Sequence, residues 1–297
     1  MKESNWMQKL WEWAEDKQID VRSLPRDEEL LDTLTELVLI GHKLGTLPPE
    51  LGQLKSLKHL HIEDKTLTSL PPQIGHLVHL ETLTLEESSL VELPKEIGEL
   101  KNLLQLNLGD NTLTSLPKEI GALEALIELD LRGNALTELP QEIGHLSQLV
   151  RLDLGDNKLK ALPKEIGQLT KLRELDLRGN AFTELPKEIG LLDHLAYLVC
   201  RKNQITSLPN EIGKLHTLEI LDVGDNRIKT LPPEIGKLGN LTVLVLSGNA
   251  FVELPKVIAQ LENIRDLDLR GNPLLDLPPE IQALKSLTKL RLDKAMV

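Results

Sequence analysis

Residues 162–184 read LPKEIGQLTKLRELDLRGNAFTE, and this one stretch decides the fold. Two periods coexist in it. Leu172, Leu175 and Leu177 lead into a short strand, in which Leu175 and Leu177, two apart, point to the same side. Pro163 to Leu169 spell one or two helical turns. Proline suits a first turn, Glu165 suits the positive end, and Gly167 suits a turn's end. A strand and a turn this short cannot bury an apolar face alone. The Leu-Pro pair, however, recurs twelve times at an interval of 23 residues, from Leu24-Pro25 to Leu277-Pro278, without a slip. A period of that length predicts a solenoid, in which each unit is buried against its neighbours.

The 297 residues carry 34 Lys and Arg against 46 Asp and Glu, a formal net charge of −12. That balance argues against a nucleic-acid binder, which needs clustered Lys and Arg. Hydrophobic residues make up 40%, yet there are only two Phe and one Tyr, so the core must be aliphatic and regular. The single cysteine, Cys200, rules out an intrachain disulfide and favours a reducing compartment. Cys200 stands at a strand-leucine position and is read as core. The opening residues have no long apolar run, so neither a secretory leader nor a membrane span is expected there. A cytoplasmic location is expected, with export by a specialised system left open.

Outside the frame, residues 1–23 predict an amphipathic helical cap. Ser4 is placed to cap it, with Trp6, Leu10 and Trp13 on its buried face. Residues 24–297 form the repeat domain. Arg26 to Leu31 replace the usual Glu-Ile-Gly and predict a longer helix. An Asn follows most strands, from Asn111 to Asn272, where its amide can satisfy buried backbone groups. Charges on the last strand, Lys289, Arg291, Asp293 and Lys294, are read as blunting a sheet edge. A 46-residue period overlies the 23-residue one. The strand exit alternates Gly-Asp-Asn with Arg-Gly-Asn, and the phase breaks at Arg201-Lys202-Asn203.

The pattern Leu-Pro-x-Glu-Ile-Gly-x-Leu-x-x-Leu-x-x-Leu-x-Leu-x-x-Asn-x-Leu covers residues 24–297. It resembles the 23-residue leucine-rich repeat class of bacterial proteins, spirochaete ones included, and of Ras-group intracellular repeat proteins. The resemblance implies an α/β leucine-rich repeat solenoid, a right-handed horseshoe with about twelve parallel strands on the concave face and short helices or 3-10 turns on the convex face. It also implies protein binding through the concave sheet. Fold analogy alone licenses nothing sharper.

Strand residues between the leucines mark the candidate site. Tyr197, Val199, Ile220, Val243 and Val245 are predicted to face outward on neighbouring strands, the only such cluster expected in the array. Arg178, Arg201, Lys202 and Asp222 would supply its rim. Contiguous exposed apolar residues mark interaction sites, though β-branched residues also sit on strands for propensity alone. Asp130, Asp153 and Asp176 form a ladder of like charges, read as an internally paired stripe, a docking surface for a basic partner or, least readily, a hard-cation site. His59 and His61 flank Leu60 near Glu36, Glu63 and Glu86 and are weak metal candidates. No phosphate loop, triad spacing or zinc-finger pattern is present. The expected function is therefore a non-enzymatic interaction module for a protein partner with a basic and apolar surface, with no cofactor, nucleic acid or membrane involved. Alternatives are an exported bacterial effector or adhesin-like protein binding a host protein, a metal-binding protein using His59 and His61, and a passive spacer.

Overall fold

The structure, a computed structural model, describes residues 5–293. The roles expected of Ser4 and Lys294 lie outside the described residues. The chain forms two compact units, residues up to 136 with 142–149, and residues 137–141 with 150 onward. The first holds helices α1 (Asn5–Asp16) and α2 (Glu28–Asp32) and strands β1 (Glu36–Ile40), β2 (His59–Glu63), β3 (Thr82–Thr84), β4 (Gln105–Asn107) and β5 (Glu128–Asp130). The second holds β6 (Arg151–Asp153), β7 (Glu174–Asp176), β8 (Tyr197–Val199), β9 (Ile220–Asp222), β10 (Val243–Val245), β11 (Asp266–Asp268) and β12 (Lys289–Arg291). Within each unit the strands pair in parallel and in chain order, each shifted by one repeat, as Leu175↔Leu198 and Leu198↔Leu221 show. This is the leucine-rich repeat arrangement that the period predicts.

Five-residue 3-10 helices link the strands, from Pro49–Gln53 to Pro279–Ala283. Pro163 sits before the turn in extended backbone rather than inside it. Gly167 does not end the turn either. Its role is close approach, most clearly at its equivalents. A Cβ on Gly190 would lie 2.6 Å from the Glu211 carbonyl oxygen, and one on Gly213 2.4 Å from that of Glu234. Neighbouring turns stack too tightly there for a side chain at Gly190 or Gly213, whereas Ala259 and Gln282 hold the equivalent place in the last two turns. Gly213→Ala is therefore expected to cost about 1–3 kcal/mol through forced backbone shifts. Gly239→Ala, where nothing lies within 4 Å, is expected to change little. Urea unfolding of the two variants checks this, and equal losses would contradict it.

Leu172, Leu175, Leu177, Phe182 and Ile189 are fully buried in one layer per repeat. The asparagines stitch these layers together. Asn226 accepts a hydrogen bond from the Ile205 N–H at 2.9 Å and donates to the carbonyls of Cys200, Val223 and Gly224, each at 3.0 Å. In the second repeat the same task falls one residue early. Asp64 accepts from the Leu44 and Thr66 N–H groups, in place of Lys65.

The 46-residue period has a steric cause. The residue before each Asn is left-handed, with φ 52° at Asp156 and 64° at Gly179. A Cβ on Gly179 would meet the Asp156 Oδ1 at 2.2 Å, and one on Gly155 would meet Arg178 at 3.3 Å. Gly109 and Gly155 thus accept Arg132 and Arg178 of the next repeat, Gly224 faces Ser247, and Asp110, Asp156 and Asp225 overlie the next Gly.

At the N-terminus the buried face of α1 is Met7, Leu10 and Ala14, while Trp6 and Trp13 are only half-buried at its margins. The helix packs on the Pro49–Gln53 turn, so its small and flexible side chains face inward there. Trp11 donates its indole N–H to the Pro25 carbonyl at 3.0 Å. Helix α2 is α-helical, capped by the Asp27 carboxylate, but five residues long like the 3-10 turns it replaces. On β12, Arg291 reaches inward to Asp266 at 2.6 Å and Asp268 at 3.2 Å, and Asp293 accepts the Gly271 N–H. These charges serve β11 as well as the edge. No helix among the described residues is long and apolar enough to cross a membrane.

Candidate functional site

Period-2 geometry turns one side chain in two away from the leucine core, so each three-residue strand presents its first and third residues on the open face. Register then sets two rows across the second unit. The first runs Glu174, Tyr197, Ile220, Val243, Asp266, and the second runs Asp176, Val199, Asp222, Val245, Asp268. Tyr197, Ile220 and Val243 are therefore contiguous on three adjacent strands. Tyr197 is exposed and the other two are half-exposed. Val199 and Val245 are also half-exposed but are separated by Asp222. The expected apolar cluster is one unbroken row of three with two flanking valines. It is not the only exposed apolar group on the strands. Val38 and Ile40 of β1 are 37% and 49% exposed, but they lie on a single strand.

Charges around the row are already paired within the protein. Arg151 binds Glu174 at 3.0 Å, and Arg178 binds Asp176 at 2.7 Å with Asp153 at 3.8 Å. Arg201 binds Asp225 at 2.6 Å and lies 3.9 Å from Asp222. Across β11, Arg291 and Lys289 hold Asp266, while Arg270 forks onto the nearly buried Asp268. In the first unit Arg132 lies 3.7 Å from Asp130.

Aspartates at the third position of a strand also shape the backbone. Asp130, Asp153, Asp176 and Asp222 each accept the N–H two residues ahead, at 2.8–2.9 Å. Asn107 makes the same turn in β4. A short polar side chain closing its own strand exit explains why the column favours Asp and Asn. Each carboxylate therefore offers a partner only its remaining lone pairs.

Burial raises the Asp176 carboxyl from 3.8 to about 6, outweighing its N–H bond and the Arg178 charge. Burial likewise raises Asp222. A folded value above the unfolded one stabilises the fold fully below pH 3.8 and loses that contribution as pH rises through about 6. Asp176→Asn keeps the turn, as Asn107 shows, and removes the buried charge. The variant is expected to be more stable than wild type at pH 7, by about 1–3 kcal/mol, with a flatter stability profile between pH 4 and 6. Urea titrations across that range check this, and parallel profiles would count against it.

Burial also pushes the Cys200 thiol far up, as befits a core residue with no access to solvent. His59 and His61 part company. The His59 Nδ1 sits 2.9 Å from the Thr82 hydroxyl, while His61 turns to Glu63 and Glu86.

A family model described as leucine-rich repeat region matches residues 49–114, 105–180 and 186–250, and one described as leucine rich repeat matches 171–192 and 263–284. A leucine-rich repeat protein of Leptospira interrogans is 37% identical, with 91% of this chain and 82% of that one covered and a TM-score of 0.59. The functional domain of InlJ from Listeria monocytogenes is 26% identical over 89% of this chain and 54% of its own, with a TM-score of 0.75. The plant peptide hormone receptor RGFR1, solved in complex with RGF2, is 28% identical over 88% and 45%, with a TM-score of 0.75. The chain thus spans most of the spirochaete protein and about half of the other two. No curated protein matches.

Proposed function

The chain belongs to the leucine-rich repeat family and resembles its bacterial members, and on that premise we propose that it is a protein-binding module docking a partner on the open strand face of β7 to β10. The observation that carries the reading is the unbroken row Tyr197–Ile220–Val243 inside a ring of ion-paired charges. An apolar centre with a polar rim is the anatomy of a protein interface, and tyrosine is favoured at its hot spots. Val199, Val245, Arg178, Arg201 and Asp222 extend the contact. Asp130, Asp153 and Asp176 contribute steering of a basic partner more than affinity, because their arginine partners must be displaced for direct contact. The solved complex of RGFR1 with RGF2 supports a protein ligand for this kind of scaffold.

Paired capture tests the proposal. Wild type and a Tyr197→Asp, Ile220→Asp, Val243→Asp variant of matched circular dichroism are immobilised side by side against the native cells' lysate and culture medium. A protein held by the first and lost by the second supports the site. The same proteins on both would move the binding surface elsewhere.

A further inference from the structure

The first unit brings together a group of side chains of different chemistry. We propose that His61, Glu63 and Glu86 bind a divalent transition-metal ion of the zinc type. One donor atom from each of the three lies within 4.8 Å of the others. His61 and Glu63 are two apart on β2, so they share the open face. Extending the register His61↔Thr84 by two residues sets Glu63 opposite Glu86. The His61 Nε2 already approaches the Glu63 Oε1 at 2.9 Å.

Two further observations point to a cation rather than a hydrogen-bonded surface. Like charges directly opposite on neighbouring strands repel, and the opposed pair Asp153 and Asp176 is bridged by Arg178. Among the described residues neither Glu63 nor Glu86 has a Lys or Arg ion pair. Lys65 is directed at Glu87, at 4.0 Å. The Glu86 carboxylate is also held in place, since the Asn107 side-chain N–H donates to its Oε2 at 2.8 Å and leaves Oε1 for a ligand. Such an outer hydrogen bond is what orients a metal-binding carboxylate.

The donor set selects the metal. One imidazole and two carboxylates suit zinc, with bonds of about 2.0–2.2 Å and donor separations of about 3.4 Å, reached by small rotations of half-exposed glutamates. Calcium wants about six to eight oxygens and no imidazole. Three protein donors leave at least one coordination position for water or an outside ligand. His59, hydrogen-bonded to Thr82, stays out of the set.

Isothermal titration of the full chain, without a polyhistidine tag, with zinc chloride tests the site. The expected result is one saturable site, weakened tenfold or more by His61→Ala and by Glu86→Gln and unchanged by His59→Ala. Glu63→Gln serves in place of His61→Ala should that variant not fold. No saturable binding, tighter binding of calcium chloride than of zinc, or undiminished affinity in the folded variants would overturn the proposal.

Discussion

Asn226→Ala is expected to lower the stability of this protein by about 3–5 kcal/mol. Its amide is buried and fully engaged, with the Ile205 N–H on its oxygen and the Cys200, Val223 and Gly224 carbonyls around its nitrogen. Alanine leaves the buried Ile205 N–H without a partner, at about 1–3 kcal/mol, and takes one hydrogen bond from each of three carbonyls that Asn203, Asn249 and the Lys202 N–H still reach, at about 0.5–1.5 kcal/mol apiece. Asn226→Asp fares no better, because it replaces two donors with an oxygen facing carbonyls and buries a charge. Because repeats are stabilised only by their neighbours, the loss spreads to both adjoining units. Asn240→Ala is the control. Its one side-chain bond, to the His216 carbonyl, is exposed, and its loss is expected to stay below about 1 kcal/mol. Urea unfolding followed by circular dichroism separates the two. An Asn226→Ala loss no larger than that of Asn240→Ala would contradict the ladder account.

The second large effect is on binding. Ile220→Asp is expected to weaken the captured partner by about 2–4 kcal/mol, roughly 30- to 1,000-fold, and Tyr197→Ala by about 2 kcal/mol. Ile220 is the middle of the apolar row, with Tyr197 and Val243 on its two neighbouring strands and Asp222 two residues on. A carboxylate there breaks the dry centre and adds a like charge beside Asp222. The fold should tolerate it, since Ile220 is half-exposed and the core leucine of β9 is Leu221. Surface plasmon resonance with purified partner, beside thermal melts, tests both halves of this expectation. Unchanged affinity in a folded variant removes Ile220 from the interface.

Most of the fold was legible because the period is rigid. A 23-residue interval sets strand register directly, and Leu175, Leu198 and Leu221 do pair as it predicts. What the sequence hid is what depends on distance between repeats. Gly167 reads as a turn end, and only the stacking distance at Gly190 and Gly213 shows turns too close for a Cβ. The one-residue slip that hands the ladder to Asp64 keeps the leucine frame, so no pattern betrays it. On α1, aromatic spacing pointed to Trp6 and Trp13, yet the close-packed side goes to Met7 and Ala14.

At the candidate site the outward residues were readable from alternation, but their environment was not. Asp153 and Asp176 look like free charge in sequence, whereas each closes its own turn and shares Arg178. Likewise His59 and His61 look equivalent around Leu60. Only the positions of Thr82 and Glu86 on the neighbouring strand distinguish them.

Site-specific photocrosslinking locates the face that a partner touches. A benzophenone side chain is placed at Tyr197 in one preparation and at Leu191, exposed on the opposite turn side, in another. Both are irradiated with the captured partner. A partner adduct is expected from position 197 and none from 191. An adduct from 191 with none from 197 would contradict the assignment of the strand face as the binding surface.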